Sequence, residues 1–254
     1  MNSGNVYEKL YKAWASISAM TIGDSEHRQR DPESVLFYIQ RIINEKDFMS
    51  VFSVPDDSVS LVPVEGWATD YTRFYKEVFN LTVDFTNVKI PWDHPGFDWV
   101  VMIAQGLTMN QTWAKCTRYI HSYTPPSQNL DSTVTVNDRT SATAYAIRVR
   151  GREESDEENA GFSADVLANR KVCGLMNLKQ NITLLEYLVL CLWYNWKTRG
   201  KLLDTGTVTL CAGSRHEDGT VPCVDNDKGS LGVWFCQPAA SGSLVASRTV
   251  LARL

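Results

Sequence analysis

Between Thr183 and Gly200 the chain runs Thr183-Leu184-Leu185-Glu186 and then apolar to Trp196, interrupted only by Glu186 and Asn195. Threonine with glutamate three residues on is a capping box: the hydroxyl accepts from a free backbone N–H and the carboxylate reaches back. A helix apolar nearly all round has no face to offer water. The run is also shorter than the roughly 20 residues that span a bilayer. It therefore predicts a central, buried helix stopped at Gly200, around which the rest of the domain must wrap.

The remainder supplies enough chain to do so. With 254 residues the protein can bury a sizeable core, and eight tryptophans are more than a disordered chain would carry. Apolar spacing predicts helices over 6–20 and from Asp31-Pro32-Glu33 to Ile43, where proline follows a capping residue. A short third helix is expected around Tyr71, Phe74, Tyr75 and Val78, then a strand through Val83, Phe85 and Val88. The turn-rich Ile90 to Gly96 segment suggests a boundary, with a mostly helical region at 1–95 and a second domain at 96–254.

Beyond it the pattern is mixed, an α+β class with short antiparallel strands and two helices. Trp99–Ile103 reads as a buried strand, Thr108 opens a helix to about Ile120, and the polar, proline-containing stretch 122–142 reads as a loop. A strand follows at 144–149 with Arg148 and Arg150 outward, and the acidic run Glu153 to Glu158 reads as a solvated face. After the central helix come strands at Thr207–Leu210, Val221–Val224, Leu231–Phe235 and near Val250, with a loop at 213–219.

Charge and cysteine usage narrow the function. A net charge of −4 offers no global attraction to phosphate backbones or anionic lipid, so neither nucleic acid nor membrane is an expected partner. The N-terminal residues lack the uninterrupted apolar core of a signal peptide, which points to a cytoplasmic location and makes the sequons at Asn80, Asn110 and Asn181 chance matches. Six cysteines without a CxxC pair read as core thiols.

The residue types of several chemistries are present without their spacing. Cys211, His216, Cys223 and Cys236 have no paired-ligand knuckle, so no zinc is expected. The acidic run lacks the glycine turn of a calcium loop. Ser214, His216 and Asp218 are the types of a hydrolase triad, but they crowd one short loop and no GxSxG elbow surrounds Ser214. A hydrolase using His216 with Ser214 stays the rival reading to a non-enzymatic protein without cofactor, and a structural part in an assembly is a third. His94 and His121 sit alone. Trp14, Trp67, Trp92, Trp99, Trp113, Trp193 and Trp196 read as core.

The stretch Leu231 to Cys236 is more specific. Its period of two puts Leu231, Val233 and Phe235 on one face as a core stripe, with Gly232, Trp234 and Cys236 on the other. That second face is either a contact surface or a second buried side.

From Asp98 onward the sequence resembles a family of uncharacterised bacterial proteins. The resemblance rests on Gly106-Leu107-Thr108, Asn137-Asp138-Arg139, Tyr145 to Arg150, Ser163-Ala164, Ile182 to Glu186, Thr207 to Arg215, Asp218-Gly219, Val221-Pro222 and Arg248. The tail of that family is similar to the variable region of proteins diversified by retroelements, in which a reverse transcriptase copies a template with errors at adenines. The resemblance implies a C-type-lectin-like domain that binds a protein or other macromolecular ligand through altered side chains on a rigid scaffold. The corresponding positions are His216, Thr220, Cys223, Asp225, Gly232, Trp234, Cys236, Ala240 and Gly242. Changing both adenines of an asparagine codon cannot produce tryptophan, so Trp234 departs from the pattern. Phe235 and Val245-Ala246 depart as well, standing where the family has tryptophan and leucine-arginine. Arg215 and Arg248 belong to the shared frame and are expected to be structural.

Overall fold

The computed structural model describes residues 64–91, 96–122, 129–169, 181–227 and 229–252. The helices expected at 6–20 and 31–43, with His94, Trp14 and Trp92, lie outside them. In chain order the elements are helix α1 (Val64–Phe74) with a π-helical turn Tyr75–Phe79, strand β1 (Trp99–Ile103), α2 (Met109–Tyr119), α3 (Leu130–Thr133), β2 (Val136–Asn137) and β3 (Tyr145–Val149). A 3₁₀ turn Glu157–Asn159, α4 (Ala164–Asn169), α5 (Leu184–Thr198), β4 (Val208–Leu210), β5 (Ser214–Arg215), β6 (Val221–Asp227), β7 (Ser230–Cys236), β8 (Val245–Ala246) and β9 (Val250–Ala252) complete the described chain. This is a mixed α+β architecture in which most strand pairs are antiparallel.

The central helix forms as its sequence dictates. In α5 the Thr183 hydroxyl accepts from Glu186 N and the Glu186 carboxylate accepts from Thr183 N at 2.8 Å. Every residue from Leu184 to Tyr194 is buried. Arg199 and Gly200 both take positive φ, and Gly200 N donates to Asn195 O, closing the helix. Around α5 wrap a three-stranded sheet in the order β1-β3-β9 and a four-stranded sheet in the order β7-β6-β4-β8, whose β4–β8 pair is parallel.

Helix α1 joins the same core. Tyr71 stacks on Trp193 with ring centroids 5.6 Å apart, and its hydroxyl donates to Val100 O, while the Tyr75 hydroxyl donates to Met102 O. The main apolar cluster thus runs from Tyr71 through Ile90 to Val100 and on to Ala252. Residues 71–90 and 100–252, from either side of the expected boundary, contribute to this core.

Four sequence readings change. Val83 to Val88 is not a strand: Phe85 and Val88 are buried, but Val88 N donates to Phe85 O in a turn. The stretch 122–142 is not simply a loop, because it contains α3 and β2. Its polar residues are capping groups, which is why they mimicked loop composition: Asn129 caps α3, and Asp131 accepts from Met109 N at the start of α2. Arg148 does not face outward. As β3 is the middle strand of its sheet, Arg148 is buried and donates to Pro91 O and Phe97 O.

The acidic run, finally, is a solvated face only in part: Glu153 and Glu157 are exposed, but other members turn inward. Asp156 is buried, pairs with Arg150 at 3.0 Å and accepts from Thr249 N. Glu154 accepts from the backbone N–H groups of Thr205 and Gly206. Glu154 thus holds the loop before β4 and Asp156 the approach to β9, partners that the charge pattern alone could not reveal.

Candidate functional site

The residues singled out by resemblance lie mainly on the hairpin β6–β7, folded at Gly229, whose φ of 82° suits glycine. Its register pairs Pro222 with Phe235, Cys223 with Trp234, Val224 with Val233 and Asp225 with Gly232. Side chains alternate, so Val224, Leu231 and Val233 enter the main core while Cys223 joins a second, smaller cluster with Ala164, Leu167, Leu210, Ala212 and Val221. The four-stranded sheet is therefore packed on both faces near its middle, by the main core on one side and α4 on the other. The expected core stripe holds, with Phe235 half-buried at its end.

The opposite face is neither simple surface nor simple core. Trp234 is 45% exposed, and its indole lies over Gly232. A Cβ on Gly232 would stand 2.8 Å from Trp234 Nε1 and 2.8 Å from Asp225 Oδ1. The glycine is what lets the ring lie down on the sheet, and the indole N–H donates to Asp225 Oδ1 at 3.0 Å. These three positions are in mutual contact, so a change at one alters the setting of the other two.

Beside it, Cys223 and Cys236 form a disulfide, Cα–Cα 6.5 Å apart and 13 residues apart in sequence. This corrects the reading of both as core thiols; Cys116, Cys191 and Cys211 are buried free thiols. The signal was available: a hairpin turning at Gly229 places Cys223 opposite Trp234 and leaves Cys236 on the same face two residues on. The bond ties an edge strand to its neighbour. Replacing both cysteines by serine is expected to cost about 3 kcal/mol, the chain-entropy value for a loop of this length, read by urea unfolding.

His216 lies elsewhere. Its ring packs edge-on against Phe235 at 4.6 Å, and Phe235 projects from the side of β7 opposite to Trp234. The two residues are therefore not brought onto one face. The turn from His216 to Thr220 is closed by Gly219 N donating to His216 O and His216 N donating to Thr220 O. Asp218 accepts from Thr220 Oγ1 at 2.6 Å and from Thr220 N, and these bonds hold its carboxyl below the ordinary carboxylate range. Thr220 is consequently buried. Ala240 and Gly242 sit half-exposed in the stretch after β7, where Ala240 N donates to Gln237 O and Val245 N to Gly242 O.

The residues of the hydrolase reading are not assembled. Ser214 is fully buried; its Oγ accepts from Leu184 N at 2.9 Å and donates to Asn137 Oδ1 at 2.6 Å. His216 Nδ1 is instead 2.9 Å from Asp218 Oδ1. For metal, the Cys223 and Cys236 sulfurs are bonded to one another and Cys211 packs in the main core, so the four sequence candidates do not converge. Among the described residues no group of three His, Cys, Asp or Glu side chains could hold an ion. His121 Nδ1 contacts the buried Ser230 hydroxyl, and Leu231 N donates to His121 O, which anchors the hairpin to the end of α2.

What the resemblance marked as frame proves to be buried polar architecture. Arg139 donates to both Glu186 oxygens at 2.6 and 2.9 Å and to Asn181 O, and Tyr145 donates to Glu186 as well. Arg248 pairs with Asp204 at 2.9 Å and donates to Arg152 O and Glu153 O. Arg215 donates to Ala212 O and Ser214 O. Gly213 approaches the backbone so closely that a Cβ would meet Asn181 O at 2.6 Å. Comparison with protein-family models, curated proteins and solved structures finds no match to this chain.

Proposed function

We propose that this chain is a non-enzymatic binding protein that displays a changeable set of side chains on a fixed, C-type-lectin-like frame, as targets of retroelement diversification do. The observation that carries the reading is the division of labour around the hairpin β6–β7. Leu231 and Val233 root the strand in the core, a disulfide ties it to its neighbour, and a large aromatic, Trp234, is left open to solvent. The motif residues Arg139, Glu186, Ser214 and Arg248, by contrast, are consumed by internal bonds. Rigid aromatic anchors on a stiff support are what tight recognition of a macromolecule uses.

The display set divides between two faces, one carrying Trp234 with Asp225 and the other carrying His216. A ligand of protein size can meet both around the Trp234–Cys236 end of β7, beyond the point where Ser122 bridges Leu231. Among the described residues no helix is long and apolar enough to cross a membrane. The Cys223–Cys236 bond favours an oxidising setting over the cytoplasmic one expected from the sequence.

The diversification part is tested in the DNA beside the gene. The expected finding is a reverse-transcriptase reading frame and a near-repeat of the codons for 211–254, differing at adenines in the display codons other than that of Trp234. Differences spread equally over the codons of Ser214 and Arg248, or no repeat at all, would count against it.

A further inference from the structure

Trp234 and Asp225 make more than an exposed aromatic. The Nε1–Cε2 side of the indole lies against Gly232, and 45% of the residue remains open to solvent. Asp225 Oδ1 receives the indole N–H, while Oδ2 has no partner among the described residues. The N–H is therefore spent on the protein, and what remains for a ligand is the exposed part of the ring and a carboxylate oxygen beside it. Both are negative: the ring face through its quadrupole, the carboxylate through its charge. A neutral ligand would draw on the ring alone, whereas a cation draws on both at once.

We propose that Trp234 and Asp225 form a subsite for the guanidinium of an arginine side chain on a protein ligand. Guanidinium suits it better than ammonium, since a planar, weakly hydrated cation can stack on the indole while its edge donates to Oδ2. The overall charge of −4 adds a weak attraction of the same sign. Gly232 is essential to the arrangement, because a side chain there would lift the ring from the sheet and away from Asp225. The subsite deepens the display reading by assuming that the Trp234 face is a ligand surface.

The test is a titration of the full chain, 15N-labelled, with N-acetyl-arginine amide, following the indole N–H resonance assigned to Trp234 by its loss in Trp234→Phe. The expected result is a saturable shift of that resonance with the other indoles unmoved, weakened by added salt. Asp225→Asn keeps an oxygen for the indole N–H, so the platform stays, yet binding should weaken on the order of tenfold. N-acetyl-citrulline amide, of like shape without the charge, should bind weaker by a similar factor. The proposal is overturned if arginine amide causes no shift, if the citrulline compound or Asp225→Asn matches the parent, or if methyl glucoside shifts the resonance and arginine does not. Failure is separable from failure of the display reading. A template repeat with no arginine shift removes only the subsite, and an arginine shift with no repeat leaves the subsite standing.

Discussion

Replacing Glu186 by alanine is expected to destabilise the protein by about 3–5 kcal/mol, the scale for breaking one partner out of a buried ion pair. Glu186 is wholly buried and accepts four hydrogen bonds, two from Arg139 and one each from Tyr145 and Thr183 N. Its loss strands a buried guanidinium and removes one half of the cap on the central helix. Urea unfolding followed by circular dichroism would read the loss, and a drop in melting temperature on the order of 10 °C would accompany it.

The same group makes the fold acid-sensitive. Burial pushes the Glu186 carboxyl up, but the Arg139 guanidinium, its hydrogen bonds and Thr183 N together hold it below the ordinary value. A depressed carboxyl contributes stability that is fully present above its unfolded value and is lost as pH falls through the folded one. Stability should therefore decline on acidification below the ordinary glutamate range. In Glu186→Gln that decline should be shallower, on a lower starting stability.

A loss of similar size, about 3–5 kcal/mol, is expected for Arg248→Met. Asp204 is buried and takes bonds from Arg248, from the Tyr187 hydroxyl at 2.6 Å and from Thr209 Oγ1 at 2.9 Å. Without Arg248 that carboxylate stays buried opposite hydroxyls alone, the Arg152 carbonyl loses the guanidinium N–H, and the Glu153 carbonyl keeps only Asp204 N. Adding Asp204→Asn should cost much less in the Arg248→Met background than alone, since the two act as one unit. Equal costs in both backgrounds would show that the pair is not coupled.

The parts of this molecule that could be read in the sequence are those where a local pattern decides the outcome. Helix α5 is specified by its capping box and its lack of any polar face, and the two faces of β7 follow from a period of two. What could not be read depends on partners distant in sequence. Asp156 looks like surface charge until Arg150 and Thr249 are placed beside it. Arg148 looks outward until its sheet is covered on both faces. The separation of His216 from Trp234 needed the three-dimensional position of Phe235.

The candidate positions could be named from the sequence, but their arrangement in space could not. Gly232 is one of three residues on a face in the sequence; in the fold it is the seat of an indole. Cys223 and Cys236 are two of six irregularly spaced thiols until the hairpin register brings them to one face. Their coupling also limits display, because changing one member of a pair leaves the other without its partner.

The claim that ligand choice rides on the display residues while the frame stays fixed is tested most directly with a library randomised together at 216, 225, 234 and 240. Members would be sorted for protease resistance and then selected on several unrelated immobilised proteins. The expected result is that most members keep the parent's resistance, and that different baits enrich different residues at those four positions. The claim is contradicted if resistance falls as far as in a library randomised at 139, 186, 204 and 248, or if every bait returns the same sequences or none.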